Sequence, residues 1–388
     1  MLPAPAAPTL DALLPAELPL LMGVGPTPLP PSVAQANTHL LNHLGPLMNE
    51  VVESLQVLAR YVFQTENRRV FAVSGPGSAA MEMAVANLAW PGRRVLAVVN
   101  GTFSERAAIM AGRAGATVDK LELPAGQGAT APLFAEALSR GPYDLVTMVQ
   151  GETSCGVCNH ALPELARMAR AAGAMVLADT VVTLSTMPFQ MDEWGIDVAY
   201  SAGQKGLACI PGVSLITFSD RAWEQLSRRP LPPAQWVLDA KLAEKFYMGH
   251  QYHYTAPTTS LLALHEALRL IVEETLPARH QRHAASSAAL QRGLEGLGLE
   301  LFVAPEHRLS TALAIRTPKG IDAAELCRRI EADHGVQIAG AFGLPIFRIG
   351  QLGEQCRPEP VRRTLLALGH TLRALGWDCE PEKVVTQL

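Results

Sequence analysis

Three short stretches of the chain carry residue types that could act together on one small ligand. Ser74-Gly75-Pro76-Gly77-Ser78 follows an apolar run and opens a helical one. Its amides and the dipole of that helix could hold a phosphate. Asp179 closes the run Val176-Leu177-Ala178-Asp179, and Lys205 follows 26 residues later in Ser201-Ala202-Gly203-Gln204-Lys205-Gly206. Each has a plain structural reading when taken alone. Glycines start many helices after strands, a strand-end aspartate often forms a turn, and a lysine is usually a solvated surface charge.

In combination they answer a specific chemical need. Pyridoxal phosphate requires an amine for a Schiff base, a carboxylate beside its pyridine nitrogen and a cup for its phosphate. The carboxylate keeps the nitrogen protonated, so the ring can accept the electron pair released at a substrate Cα. The lysine, once displaced by the substrate amine, can move the Cα proton as a general base. Lys205 and Asp179 are the candidate catalytic pair.

The elements that must position these groups are legible as alternation. Apolar runs of strand length at 68–74, 94–100, 117–123, 144–150 and 174–179 alternate with helical stretches at 78–90, 104–115, 132–140 and 162–173. Two more strands are expected at 198–202 and 212–218. This is the pattern of βαβ units: an α/β fold with a mostly parallel sheet of seven strands, covered by helices on both faces. Ligands of such sheets sit at the carboxyl ends of the strands, where all three stretches fall. The proline-rich residues 1–30 are expected to form an extended arm, 31–259 a large domain, and 260–388 a small α+β domain. Within the last, long helices are expected at 260–274 and 278–297, then 313–316, a helix at 323–334, 336–339, 347–350 and a helix at 360–375.

Composition narrows the function classes. An apolar share of 48% with 18% charged residues describes a well-buried globule, and a net charge of -4 without a basic run gives no footprint for nucleic acid. No apolar stretch is long enough to span a bilayer, and the first twenty residues lack a secretory pattern. Cys155 and Cys158 form one CxxC, with no second pair to complete a zinc set, so no metal is expected. The expected setting is cytoplasmic.

Five blocks, in order along the chain, carry a resemblance. They are 23–31 (GVGPTPLPP), Gly151-Glu152-Thr153-Ser154-Cys155-Gly156, 195–200 (GIDVAY) leading into Gln204-Lys205, Tyr252-His253-Tyr254-Thr255, and Phe347-Arg348-Ile349-Gly350. Together they make the chain similar to the class V aminotransferases of fold type I, most closely those acting on alanine–glyoxylate and serine–pyruvate pairs. The resemblance implies a role for each matching residue. Lys205 would hold the cofactor, Asp179 its pyridine nitrogen, and Thr153 its phenolic oxygen. Gly77, Ser78 and Gln204 would hold the phosphate. Tyr252 and Thr255 would reach the phosphate of the neighbouring subunit, making a homodimer with shared sites. Val181 would pack on one ring face and Phe103 stack on the other. Arg348, with Gly25 beside it, would bind the substrate carboxylate, for which a guanidinium fork is suited. Close relatives carry tryptophan at the position of Phe103, and serine and histidine at those of Pro76 and Ser78.

The expected reaction is ping-pong transamination between a small amino acid, alanine or serine, and a 2-oxo acid, glyoxylate or pyruvate. Ureidoglycine is an alternative donor, since its transaminases share every block quoted. A cysteine desulfurase-type lyase is a further alternative. Those enzymes usually have histidine just before the lysine and at the stacking position, where this chain has Gln204 and Phe103.

Overall fold

The computed structural model describes residues 1–388 with the exception of Phe342. Its centre is a seven-stranded sheet built from β1 (Arg69–Ser74), β2 (Arg94–Val99), β3 (Thr117–Glu122), β4 (Leu145–Val149), β5 (Met175–Asp179), β6 (Val198–Ala202) and β7 (Val213–Phe218). The spatial order is β1-β7-β6-β5-β4-β2-β3. β7 runs antiparallel to both of its neighbours, and the other four pairings are parallel. The runs are continuous in Val, Leu and Ala because β4 to β7 are buried along their whole length, under helices on both faces.

Every expected strand of this sheet forms, with each end within one residue of the expected one. The helix expected at 78–90 is Gly77–Leu88, and that at 104–115 is Thr102–Arg113. Each therefore starts directly from the loop after a strand, which brings its first amides to the carboxyl edge of the sheet. The helix Pro46–Phe63, absent from the sequence reading, packs against Thr258–Glu274.

The apolar contacts form two main cores. Leu261, Leu264, Leu268 and Leu276 belong to the large core, whereas Leu290 and Leu294 belong to a second, smaller one. The division falls inside the helix Leu276–Gly296, some way past residue 259. That second core also includes Met22, and Leu20–Leu21 pairs in parallel with Val336–Gln337. Residues 20–22 thus pack with the second core, and residues 1–18 lie exposed, with a single helical turn at Leu10–Leu13. The rest of the small domain is the antiparallel pair Ala312–Arg316 and Ile346–Gly350 against the helices Ala323–His334 and Pro358–Ala374. Among the described residues no helix is long and apolar enough to cross a membrane.

Candidate active site

A cavity opens at the carboxyl ends of β1, β4, β5 and β6. It is lined by Pro76, Gly77 and Ser78 after β1, Thr153 after β4, Asp179 and Val181 at the end of β5, and Gln204 and Lys205 after β6. Asp179 has its place because its strand ends there, and its partners follow from the register. Tyr200 stands opposite it on β6, so both side chains leave the sheet on one face, and the Tyr200 hydroxyl donates to Asp179 Oδ2 at 2.7 Å. The Val181 N–H donates to Oδ1 at 2.8 Å. Burial nevertheless dominates and pushes the Asp179 carboxyl up to about 6, with the two hydrogen bonds pulling the other way. Among the described residues Asp179 forms no ion pair and the positive charge of Arg106 only partly offsets its burial, so a protonated ring nitrogen would supply a direct counter-charge.

Lys205 sits where β6 leaves the sheet. Its Nζ donates to the carbonyl of Val24 and, at 3.4 Å, to that of Gly25. Burial lowers its pKa to about 8, the positive charge of Arg348 adds to the lowering, and Asp179 opposes both. A lysine so placed is partly neutral near pH 8 and therefore nucleophilic. Gly25 allows the approach. Its φ is +89°, and a Cβ there would lie 2.5 Å from Lys205 Cδ and 2.8 Å from Nζ.

A second cavity adjoins the first and shares Phe103, Thr153 and Lys205 with it; Gly23, Gly25, Ala339 and Arg348 close its far side. Arg348 lies on the small-domain strand Ile346–Gly350 and is only 5% exposed. Nη1 donates to the Thr153 carbonyl at 2.8 Å, and Nε donates to the Gly340 carbonyl at 2.8 Å. Those carbonyls orient the guanidinium without cancelling its charge. The pair of cavities thus offers an amine at their junction, a carboxylate at the inner end and a fixed guanidinium at the outer end.

The sequence model of the family described as aminotransferase class-V matches residues 21–372. The chain belongs to the class-V aminotransferases. The alanine–glyoxylate aminotransferase of Felis catus is 35% identical over 378 residues, covering 95% of this chain and 91% of that one. A crystal structure of an alanine–glyoxylate aminotransferase from Nostoc sp. superposes with a TM-score of 0.91 at 39% identity, covering 93% of this chain and 97% of that one. The ureidoglycine–glyoxylate aminotransferase of Bacillus subtilis superposes with a TM-score of 0.92 at 30% identity, covering 96% of this chain and 97% of that one. The fold is accordingly that of the fold type I aminotransferases, as the motif resemblance implied.

In this aminotransferase the fold gathers ten of the twelve sequence-predicted site residues. Gly77, Ser78, Phe103, Thr153, Asp179, Val181, Gln204 and Lys205 line the inner cavity, and Gly25 and Arg348 the outer one. Tyr252 and Thr255 line neither; both are exposed on the surface of their own chain. Two further residues escaped the sequence reading. Glu152, fully buried, accepts from the Ser104 N–H at 2.9 Å, the Phe103 N–H at 3.1 Å and the Ser154 hydroxyl at 2.5 Å. It caps the helix Thr102–Arg113 and thereby fixes Phe103 between the cavities; the clue was a carboxylate three residues past the buried strand Leu145–Val149. Arg106 also lines the inner cavity. Three residues past Phe103 on an amphipathic helix, it reads in sequence as a solvated charge. Cys155 and Cys158 are buried thiols pushed up by desolvation to about 11 and 12.

Proposed function

We propose that this aminotransferase carries an amino group from a small monocarboxylic amino acid, alanine or serine, to glyoxylate or pyruvate, with pyridoxal phosphate as its cofactor. The observation that carries the reading is the meeting of Lys205, Asp179 and Arg348 in two joined cavities. The donor set fits the cofactor. Gly77 and Ser78 open the helix Gly77–Leu88, where their amides have no acceptor within the helix, and the side-chain amide of Gln204, which lines the same cavity, carries an NH2 that can donate to a phosphate. A Cβ at Gly77 would press on Ala202 and Val181 at 3.0 and 3.1 Å, so only glycine lets a ligand come this close to the helix start.

When bound, pyridoxal phosphate supplies an electron sink for the pair left at the substrate Cα. The remaining work falls to the chain. Lys205 provides the attachment point and, once displaced, the base that removes the Cα proton and later returns it. Asp179 would hold the ring nitrogen in its charged form. Thr153 would hydrogen-bond the phenolic oxygen, and Val181 and Phe103 would pack against the ring. Arg348 binds the substrate carboxylate bidentately and so fixes which Cα bond is presented to Lys205. No second arginine lines the outer cavity among the described residues, which favours monocarboxylic donors over aspartate or glutamate.

The active unit in this reading is a homodimer of cytoplasmic chains. Tyr252, 62% exposed, and Thr255 would contact the partner subunit's cofactor phosphate, and exposed Leu40, Leu44, Leu47 and Trp236 would lie in the interface. Six free cysteines suit a reducing compartment. A desulfurase-type lyase has less support, since no cysteine among the described residues lines either cavity. The test is a screen of the single half-reaction. The pyridoxal phosphate enzyme is mixed with one amino acid at a time, and pyridoxamine phosphate is quantified after denaturation. Alanine or serine should convert the cofactor fastest, and aspartate and glutamate should barely react. Faster conversion by ureidoglycine would move the donor to that compound, and rapid conversion by glutamate would refute the monocarboxylate reading.

A further inference from the structure

The Arg106 guanidinium reaches the inner cavity from the helix Thr102–Arg113, beside Pro76, Gly77 and Ser78. No carboxylate lies within ion-pair distance of it among the described residues; it donates from Nη1 to Ser78 Oγ at 2.8 Å and lies 5.0 Å from the centre of the Phe103 ring. A half-buried cation with no carboxylate in ion-pair contact among the described residues, at the wall of a cavity, is placed to take up an anion. The hydrogen bond also has a direction. A guanidinium can only donate, so Ser78 Oγ must accept, and the Ser78 hydroxyl proton is left to donate elsewhere. Ser78 is the second residue of the helix Gly77–Leu88, and the preceding Pro76 contributes no N–H to the cup.

We infer that Arg106 is a positioning residue for the cofactor phosphate: it orients and polarises the Ser78 hydroxyl as a phosphate donor and supplies the positive charge that the helix start alone lacks. The inference rests on the proposed pyridoxal phosphate site and assigns to Arg106 a task that no carboxylate-binding or proton-transfer role covers. It also gives Ser78 a purpose beyond its backbone amide.

The test compares two ligands that differ only in the phosphate. Cofactor-free protein is titrated with pyridoxal phosphate and with pyridoxal, and adduct formation is followed by absorbance. Arg106→Gln should weaken pyridoxal phosphate roughly tenfold to a hundredfold, the usual range for losing a bond to a charged group, and leave pyridoxal unchanged. Ser78→Ala should weaken pyridoxal phosphate in the same ligand-selective way, and the double variant should lose less than the product of the two single losses, because one relay is removed twice. Arg106→Lys should restore part of the discrimination, and it serves as the folded cation control if Arg106→Gln unfolds. Equal weakening of both ligands would make Arg106 a packing residue and overturn the inference. So would unchanged binding of pyridoxal phosphate, or strict additivity. If the unaltered protein forms an adduct with neither ligand, the cofactor assignment itself fails, which is a separate outcome.

Discussion

Removing the charge of Asp179 should stabilise the cofactor-free protein while disabling the enzyme. The carboxyl is buried and its pKa stands at about 6 against an ordinary 3.8. The sign follows from linkage. A raised folded-state pKa means that the ionised form is disfavoured in the fold, so stability is fully retained below pH 4 and lost as pH climbs through 6. At about 1.36 kcal/mol per pKa unit, the penalty is about 1.5 kcal/mol at pH 5 and about 3 kcal/mol at pH 7.5. Asp179→Asn keeps an acceptor for the Val181 N–H and a group that can pair with the Tyr200 hydroxyl, so it removes the charge with little change in shape. Urea unfolding of the apoprotein at both pH values should therefore give a variant more stable than the parent, by a margin that grows with pH. With pyridoxal phosphate bound the order should reverse, because an amide cannot balance a ring cation. A variant less stable than the parent by the same amount at pH 5 and 7.5 would refute the reasoning: the two hydrogen bonds, not desolvation, would then govern the site.

Other consequences are equally direct. Arg348→Ala should raise the amino-acid concentration needed for half-maximal conversion at least about thirtyfold, since breaking such a buried charged pair costs about 2–5 kcal/mol, and should leave cofactor retention unchanged. Equal reactivity of alanine before and after would place the carboxylate clamp elsewhere. Gly25→Ala should slow attachment of pyridoxal phosphate to the apoprotein about tenfold or more, because its Cβ would lie 2.5 Å from Lys205 Cδ; an unchanged rate would mean that the loop yields freely. The attachment rate of the parent should rise through pH 8 as Lys205, lowered to about 8 by burial, loses its proton, and a midpoint above 10 would contradict that account. Heterodimers refolded from Lys205→Ala chains and Tyr252→Phe, Thr255→Val chains should outperform either parent at limiting cofactor. If heterodimers form without that gain, Tyr252 and Thr255 do not serve a partner subunit.

The sheet, and the placing of Asp179 and Lys205 at one cavity, were readable from sequence because their causes are local. A run such as Leu145–Val149 must be buried on both faces, and a polar residue at the end of such a run, Asp179, can only face the carboxyl edge. What escaped reading depended on partners distant in sequence. Met22 joins the small core because Leu20–Leu21 adds to Val336–Gln337 more than three hundred residues later, and nothing in a proline-rich stretch announces that pairing. The helix Thr258–Glu274 is amphipathic in either domain, and only its packing against Pro46–Phe63 assigns its leucines to the large core. Glu152 and Arg106 carry charges that composition places on the surface. The helix start at Thr102 draws the first inward, and the hydroxyl of Ser78 receives the second.

The central claim is that Lys205 is the residue to which the cofactor is joined. Borohydride reduction of the pyridoxal phosphate enzyme followed by peptide mass mapping tests it most directly. The account predicts a single reduced adduct on the peptide containing Lys205, absent from Lys205→Ala protein that remains folded by circular dichroism. An adduct on any other lysine, or one that survives in the alanine variant, would contradict it.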